Sequence, residues 1–130
     1  MTMTAVLFSG LVMLAQAAAP AKPPVILSCS LPSRAAAGAP VVMRERIFRV
    51  GPASLQELNP ATGQFGKNLC ASHPCAKTEG HSEGHISSGS VLYTIGIVNG
   101  SNQGYWRAKG ASGLSANEGT CKVVAAPKAK

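Results

Sequence analysis

The strongest hydrophobic pattern in the chain is VLYTIGIV, residues 91–98, in which Val91, Tyr93, Ile95 and Ile97 alternate with Leu92, Thr94, Gly96 and Val98. A period of two predicts a strand. Because both sets are largely apolar, the strand is expected inside a sheet, with Gly96 marking a bulge or a close backbone approach. Asn99-Gly100 is a strong turn dipeptide, so GYWRAKG after it reads as the returning strand of a hairpin. Its Trp106 and Ala108 are expected to pack, leaving Tyr105, Arg107 and Lys109 toward water. MRERIFRV, residues 43–50, sets Met43, Glu45, Ile47 and Arg49 against Arg44, Arg46, Phe48 and Val50. It is basic at its start and apolar toward its end, which predicts a strand with one exposed end.

Short apolar runs at 25–31, around Cys29, and at 121–125 complete about five strands. Ser54-Leu55-Gln56-Glu57 has the form of a capping box and predicts one or two turns of helix before Asn59-Pro60. Residues 61–85 have only Phe65 and Leu69 as large apolar side chains, and read as a long functional or disulfide-held loop. The expected fold is mainly β: a small antiparallel sheet of about five strands curled into a barrel or sandwich, with one short helix and disulfide staples.

The ends change the picture. The apolar run from Ala5 to Ala15 is too short to span a bilayer and closes on the small-residue triplet Ala15-Gln16-Ala17, which reads as a secretory signal peptide over 1–17. An Ala/Pro linker then covers 18–24, a single β-rich domain 25–125, and a disordered basic tail 126–130. Ile26-Leu27-Ser28-Cys29 loosely matches a lipid-attachment box. Pro20, Lys22, Pro23 and Pro24 separate it from the apolar run, however, and an anchored protein needs the two joined. The mature chain is therefore expected in the periplasm or outside the cell, without a transmembrane segment.

Four cysteines, an even number, fit two disulfides in an oxidising compartment. Of three connectivities, the preferred one joins Cys70 with Cys75 across a four-residue gap, and Cys29 with Cys121 from the first and last strands.

Charge and chemistry narrow the function. Twelve Lys and Arg stand against five acids, for a formal net charge of +7, and no aspartate occurs. That absence removes Asp-dependent triads, EF-hand loops and paired-Asp acid catalysis. Arg44, Arg46, Arg49, Arg107 and Lys109, with Tyr105, form a candidate anion-binding strip; the plainer reading is a charged, soluble surface. No nucleic-acid motif accompanies the charge, so no nucleic-acid partner is expected.

CASHPCAKTEGHSEGH, residues 70–85, holds all three histidines. Cys70, Cys75, His81 and His85 are four zinc-type ligands, but their spacing is not a familiar finger spacing, and free thiolates do not suit an exported chain. A weaker site keeps the disulfide and uses His81 and His85 with Glu83 or His73. GASGLS, residues 110–115, has Leu114 where a serine elbow needs glycine. The expectation is no enzyme and no cofactor: a non-enzymatic binding or inhibitory module, whose partner is another protein or an anionic surface. The competing readings are a periplasmic transition-metal-binding protein using His73, His81 and His85, and a weak binder of acidic glycans or membrane surfaces.

RIFRVGP, with its core at 47–52, NLCASHPC at 68–75, and YWRAKGASGL followed by GTC at 119–121 resemble a group of small exported bacterial proteins of uncharacterised function. The likeness covers most of 29–121. It implies secretion, a single domain and paired cysteines, and carries over no catalytic residue. Periplasmic lysozyme inhibitors are also small, β-rich and disulfide-linked, but their signature residues are absent, so the likeness to them is of class alone.

Overall fold

The computed structural model describes residues 22–36, 38–78, 80–88, 91–109 and 118–127. The expected signal peptide, most of the Ala/Pro linker, the GASGLS stretch and the last three residues of the tail lie outside the described residues.

Nine strands form one antiparallel sheet among the described residues: β1 Val25–Ser33, β2 Val42–Gly51, β3 Ser54–Asn59, β4 Gln64–Phe65, β5 Ala76–Thr78, β6 His81–Ser88, β7 Val91–Ile97, β8 Gly104–Lys109 and β9 Glu118–Val124. The order across the sheet is β4-β3-β2-β1-β9-β8-β7-β6-β5. The sheet is therefore two meanders, β1 to β4 and β5 to β9, joined where the first strand pairs with the last. Four residue pairs make that seam, from Ile26 opposite Val124 to Cys29 opposite Cys121.

Alternation sorts each strand into two faces. Leu27, Cys29 and Leu31 of β1 line one face with Phe48 and Val50 of β2, Leu55 of β3, Ile86 of β6, Tyr93, Ile95 and Ile97 of β7, Trp106 and Ala108 of β8, and Cys121 of β9. All are buried, and Tyr93 meets Trp106 edge to face at 5.5 Å between ring centroids. Of the two apolar sets of β7 it is Tyr93, Ile95 and Ile97 that enter the core, and the expected packed set of β8, Trp106 and Ala108, is the observed one. Gly96 is a close approach: Tyr105 from β8 lies over it, its hydroxyl 2.8 Å from where a Cβ would be. The hairpin at Asn99-Gly100 is also present, with Gly100 at φ 74° and the Val98 N–H donating to the Gln103 carbonyl at 2.7 Å.

Cys29 and Cys121 form a disulfide across the seam, and Cys70 and Cys75 form a second one that closes a short loop beside a 3-10 turn at Leu69–Ala71. No cysteine is free. Two disulfides fit an oxidising, non-cytoplasmic compartment. Among the described residues, no helix is long and apolar enough to cross a membrane.

Three expectations are corrected. The sheet does not close, so the barrel is not formed: the inner faces of β3 and β6 meet, but no ladder joins those strands. Nor, among the described residues, is there a second sheet to stack as a sandwich.

The helix at Ser54–Glu57 is strand β3. Pro52-Ala53 forms a two-residue turn that sends the chain straight back along β2, with Gly51 opposite Ser54. Four residues would give too little hydrogen bonding to nucleate a helix, whereas a strand buries Leu55 and pairs its polar neighbours. Arg49 donates to Gln56 Oε1 at 3.0 and 2.8 Å, and Arg46 to both Glu57 oxygens at 2.6 Å. The Leu55 N–H is taken by Asn68 Oδ1 at 3.1 Å.

The long loop of 61–85 is interrupted by strands, although it does hold the disulfide-closed turn at Cys70 and Cys75. It contains β4, β5 and the start of β6, which together with β3 raise the strand count from about five to nine. The apolar signal is missing because the inward positions of β6 are Ser82, Gly84 and Ile86, and Gly84 is small for a reason. A Cβ at Gly84 would stand 2.5 Å from Leu55 Cδ2 and 2.8 Å from Cys75 Sγ. Gly84→Val is accordingly expected to destabilise the fold by about 1–3 kcal/mol through overpacking, read as a lowered urea midpoint at unchanged slope.

Candidate functional site: an open strand edge

The residues of the expected basic strip are not brought together. Arg44 and Arg46 share the inward face of β2 with Phe48, at the mouth of the curled sheet, whereas Arg49 is on the outer face. Arg46 is held by Glu57 and lies 5.8 Å from the Phe48 ring centroid. Arg49 is held by Gln56, with its guanidinium 4.4 Å from the Phe65 ring centroid. Arg107 shares the outer face but is three strands away and displaced along them, roughly 25 Å from Arg49 at ordinary strand spacing. Its guanidinium stacks 4.6 Å above Tyr105. Glu83 and Glu118 line the same shallow depression of about 450 Å³, so the immediate field around Arg107 is mixed rather than cationic. Lys109 is in β8, and its side chain is outside the described set.

The histidines do not converge either. His73 is exposed in the disulfide loop, while His81, Glu83 and His85 are alternate residues of β6 and face the same way. Four residues of strand separate His81 from His85 by about 13 Å, far beyond a shared ion. Among the described residues no group of three His, Cys, Asp or Glu side chains could hold a metal. Cys70 and Cys75 are joined to each other. His81 is buried under the start of the domain, its Nε2 3.2 Å from the Pro23 carbonyl, while its Nδ1 and the neighbouring Ser82 hydroxyl have no partner among the described residues. His85 Nδ1 lies 3.2 Å from Thr94 Oγ1. Among the described residues no third group joins that hydroxyl–imidazole contact in the way that orients a catalytic base.

The feature that the structure does build was signalled only as a strand with an exposed end. Ladder pairing of β2 with β3 stops at Phe48 opposite Glu57, whereas pairing with β1 continues to Ser33 opposite Val42. From Val42 to Ile47, β2 therefore has a strand neighbour on one side only among the described residues. The two strands splay, and the wedge between them is a cleft of about 500 Å³. Arg44 to Ile47 form one wall and Glu57, Leu58 and Pro60 the other, with Pro32, Ser33 and Ser88 nearby.

The direction of the backbone groups on this edge follows from the register. Cys29 and Cys121 have Cα atoms 4.3 Å apart, the narrow spacing of a pair that does not exchange hydrogen bonds, so Cys29 turns its N–H and C=O toward β2. Arg46, directly opposite Cys29, turns its own groups toward β1, as do Arg44 and Phe48 by alternation. Met43, Glu45 and Ile47 consequently direct theirs into the wedge. The β3 side agrees: the Glu57 carbonyl accepts from the Gly66 N–H at 2.9 Å, on the side away from β2.

Comparison with family models, curated proteins and solved structures finds no match for this chain.

Function thus has to be argued from the edge itself. Val41, Val42 and Met43 are 50, 52 and 55% exposed, the most exposed large apolar side chains among the described residues. The charges beside them are unequal in availability. Glu45 accepts from the Ser28 hydroxyl at 2.5 Å and Arg46 is engaged by Glu57, whereas Arg44 is exposed with no partner among the described residues. An unpaired edge with apolar neighbours is what strand addition by another chain requires.

Proposed function

We propose that this chain is an exported, disulfide-bonded β-domain that works as a non-enzymatic binding or inhibitory module, engaging another protein along the open half of β2. The signal-like start and the two disulfides support export. The observation that carries the binding reading is the unpaired run Val42–Ile47, with its backbone groups aimed into a cleft and Val41, Val42 and Met43 exposed at its end.

Glu45→Pro tests it, because proline removes an N–H that points away from β1 and leaves the β1 ladder intact. Glu45→Ala is the control, since it loses the same Ser28 contact and keeps the N–H. The tagged mature chain is expected to retain a protein from the exported fraction of its source cells, Glu45→Ala to retain it too, and Glu45→Pro to lose it with its far-ultraviolet spectrum unchanged. Equal retention by the proline variant would defeat the proposal. So would catalytic turnover by the purified domain that disappears on replacing one histidine.

A further inference from the structure

Resting on that docking reading, we infer that the partner presents an extended, antiparallel segment with carboxylates on one face and apolar residues on the other. The pattern follows from what each position of the edge leaves unmet. On the inward face, the partner residue opposite Arg44 meets an exposed guanidinium with no other partner among the described residues, and the residue opposite Arg46 meets one already bound to Glu57. A carboxylate opposite Arg44 gains a charge-assisted contact that the free domain lacks. On the outer face, residues opposite Met43 and Ile47 meet apolar side chains, and only the one opposite Glu45 meets a charge. The net charge of +7 favours approach of an acidic segment at long range.

A second copy of this chain fits the edge poorly. Antiparallel pairing must match Met43, Glu45 and Ile47 with residues that also direct their backbone outward. Only two self-pairing registers then overlap more than three residues of the open run. One is centred on Glu45 and sets Glu45 against Glu45. The other is centred on Arg44 and sets Arg44 against Arg44. Like charges directly opposite are destabilising, so the edge repels itself while remaining open to a complementary strand.

The test is a nuclear magnetic resonance titration of the folded, oxidised domain with two capped hexapeptides, Val-Glu-Lys-Glu-Val-Thr and its glutamine counterpart Val-Gln-Lys-Gln-Val-Thr, after hydrogen exchange has been measured on the free domain. In the free domain the amides of Met43, Glu45 and Ile47 are expected to exchange fast, and those of Arg44 and Arg46 slowly. The glutamate peptide is expected to slow the first three and to bind about fivefold tighter than the glutamine peptide at low salt. Arg44→Gln is expected to erase that difference while the glutamine peptide still binds. Equal binding of both peptides, or binding of neither to an edge whose amides exchange fast, overturns the acidic-strand proposal and leaves the docking reading standing. Protection of Met43, Glu45 and Ile47 in the free domain overturns both.

Discussion

Replacing Cys29 and Cys121 together by alanine is expected to lower the stability of the oxidised domain by about 4–5 kcal/mol, read from guanidinium unfolding. The residues are 92 apart in sequence, and cross-linking so long a loop removes much of the conformational freedom of the unfolded chain. Domains of this size are stable by about 5–15 kcal/mol, so the loss takes about a quarter or more of the total. The corresponding change at Cys70 and Cys75, only five residues apart, is expected to cost about 2 kcal/mol by the same reasoning. A larger cost at the short bridge would contradict the role assigned to the seam. That role is structural as well as entropic. Each meander is held by ladders between consecutive strands, and among the described residues the only ladder between the meanders is the four-pair contact of β1 with β9 that the bridge crosses.

Phe48→Ala is expected to cost about 3–5 kcal/mol, against at most about 2 kcal/mol for Ile47→Ala, its neighbour in sequence. Phe48 is fully buried between the two meanders, while Ile47 is on the outer face beside the cleft and only partly buried. Deleting a buried ring loses its transfer energy and leaves a cavity that the sheet cannot collapse around, because β1 and β3 are paired to both edges of β2 at that point. Chemical denaturation of the two variants decides the matter. Similar costs would mean that the alternation along β2 has been assigned to the wrong faces.

What could be read from the sequence was what period-two hydrophobicity announces. β7 is an interior strand as its two apolar sets imply, and Trp106 and Ala108 of β8 point inward as their alternation implies. Both disulfides join the expected cysteines, and β2 has the exposed end that its charge gradient suggested. The failures have two physical sources. At Ser54–Glu57 a local signal for a helix start was outweighed by a two-residue turn and by cross-strand partners for Gln56 and Glu57 that no local window contains. At β6 the strand was invisible because its inward positions are small. The space over Gly84 is filled from elsewhere, by Leu55 and the Cys70–Cys75 bridge. The site was missed for a related reason. An open edge is a property of where a neighbouring strand stops, and nothing in MRERI records that β3 leaves after Glu57. The basic strip failed oppositely: its residues were counted together, but the register distributes them over two faces and two meanders.

The pairing of the first strand with the last also sets an order of events. A chain delivered amino terminus first into an oxidising compartment presents Cys29, then Cys70 and Cys75, and only at the end Cys121. The first thiols that Cys29 can meet are therefore the wrong ones, and its true partner arrives only with β9, the last strand of the second meander. First encounter cannot select the native bridge. Selection falls to thiol–disulfide exchange once β9 has settled beside β1, so the yield of correctly joined protein is expected to rise with the isomerising power of the compartment rather than with its oxidising power.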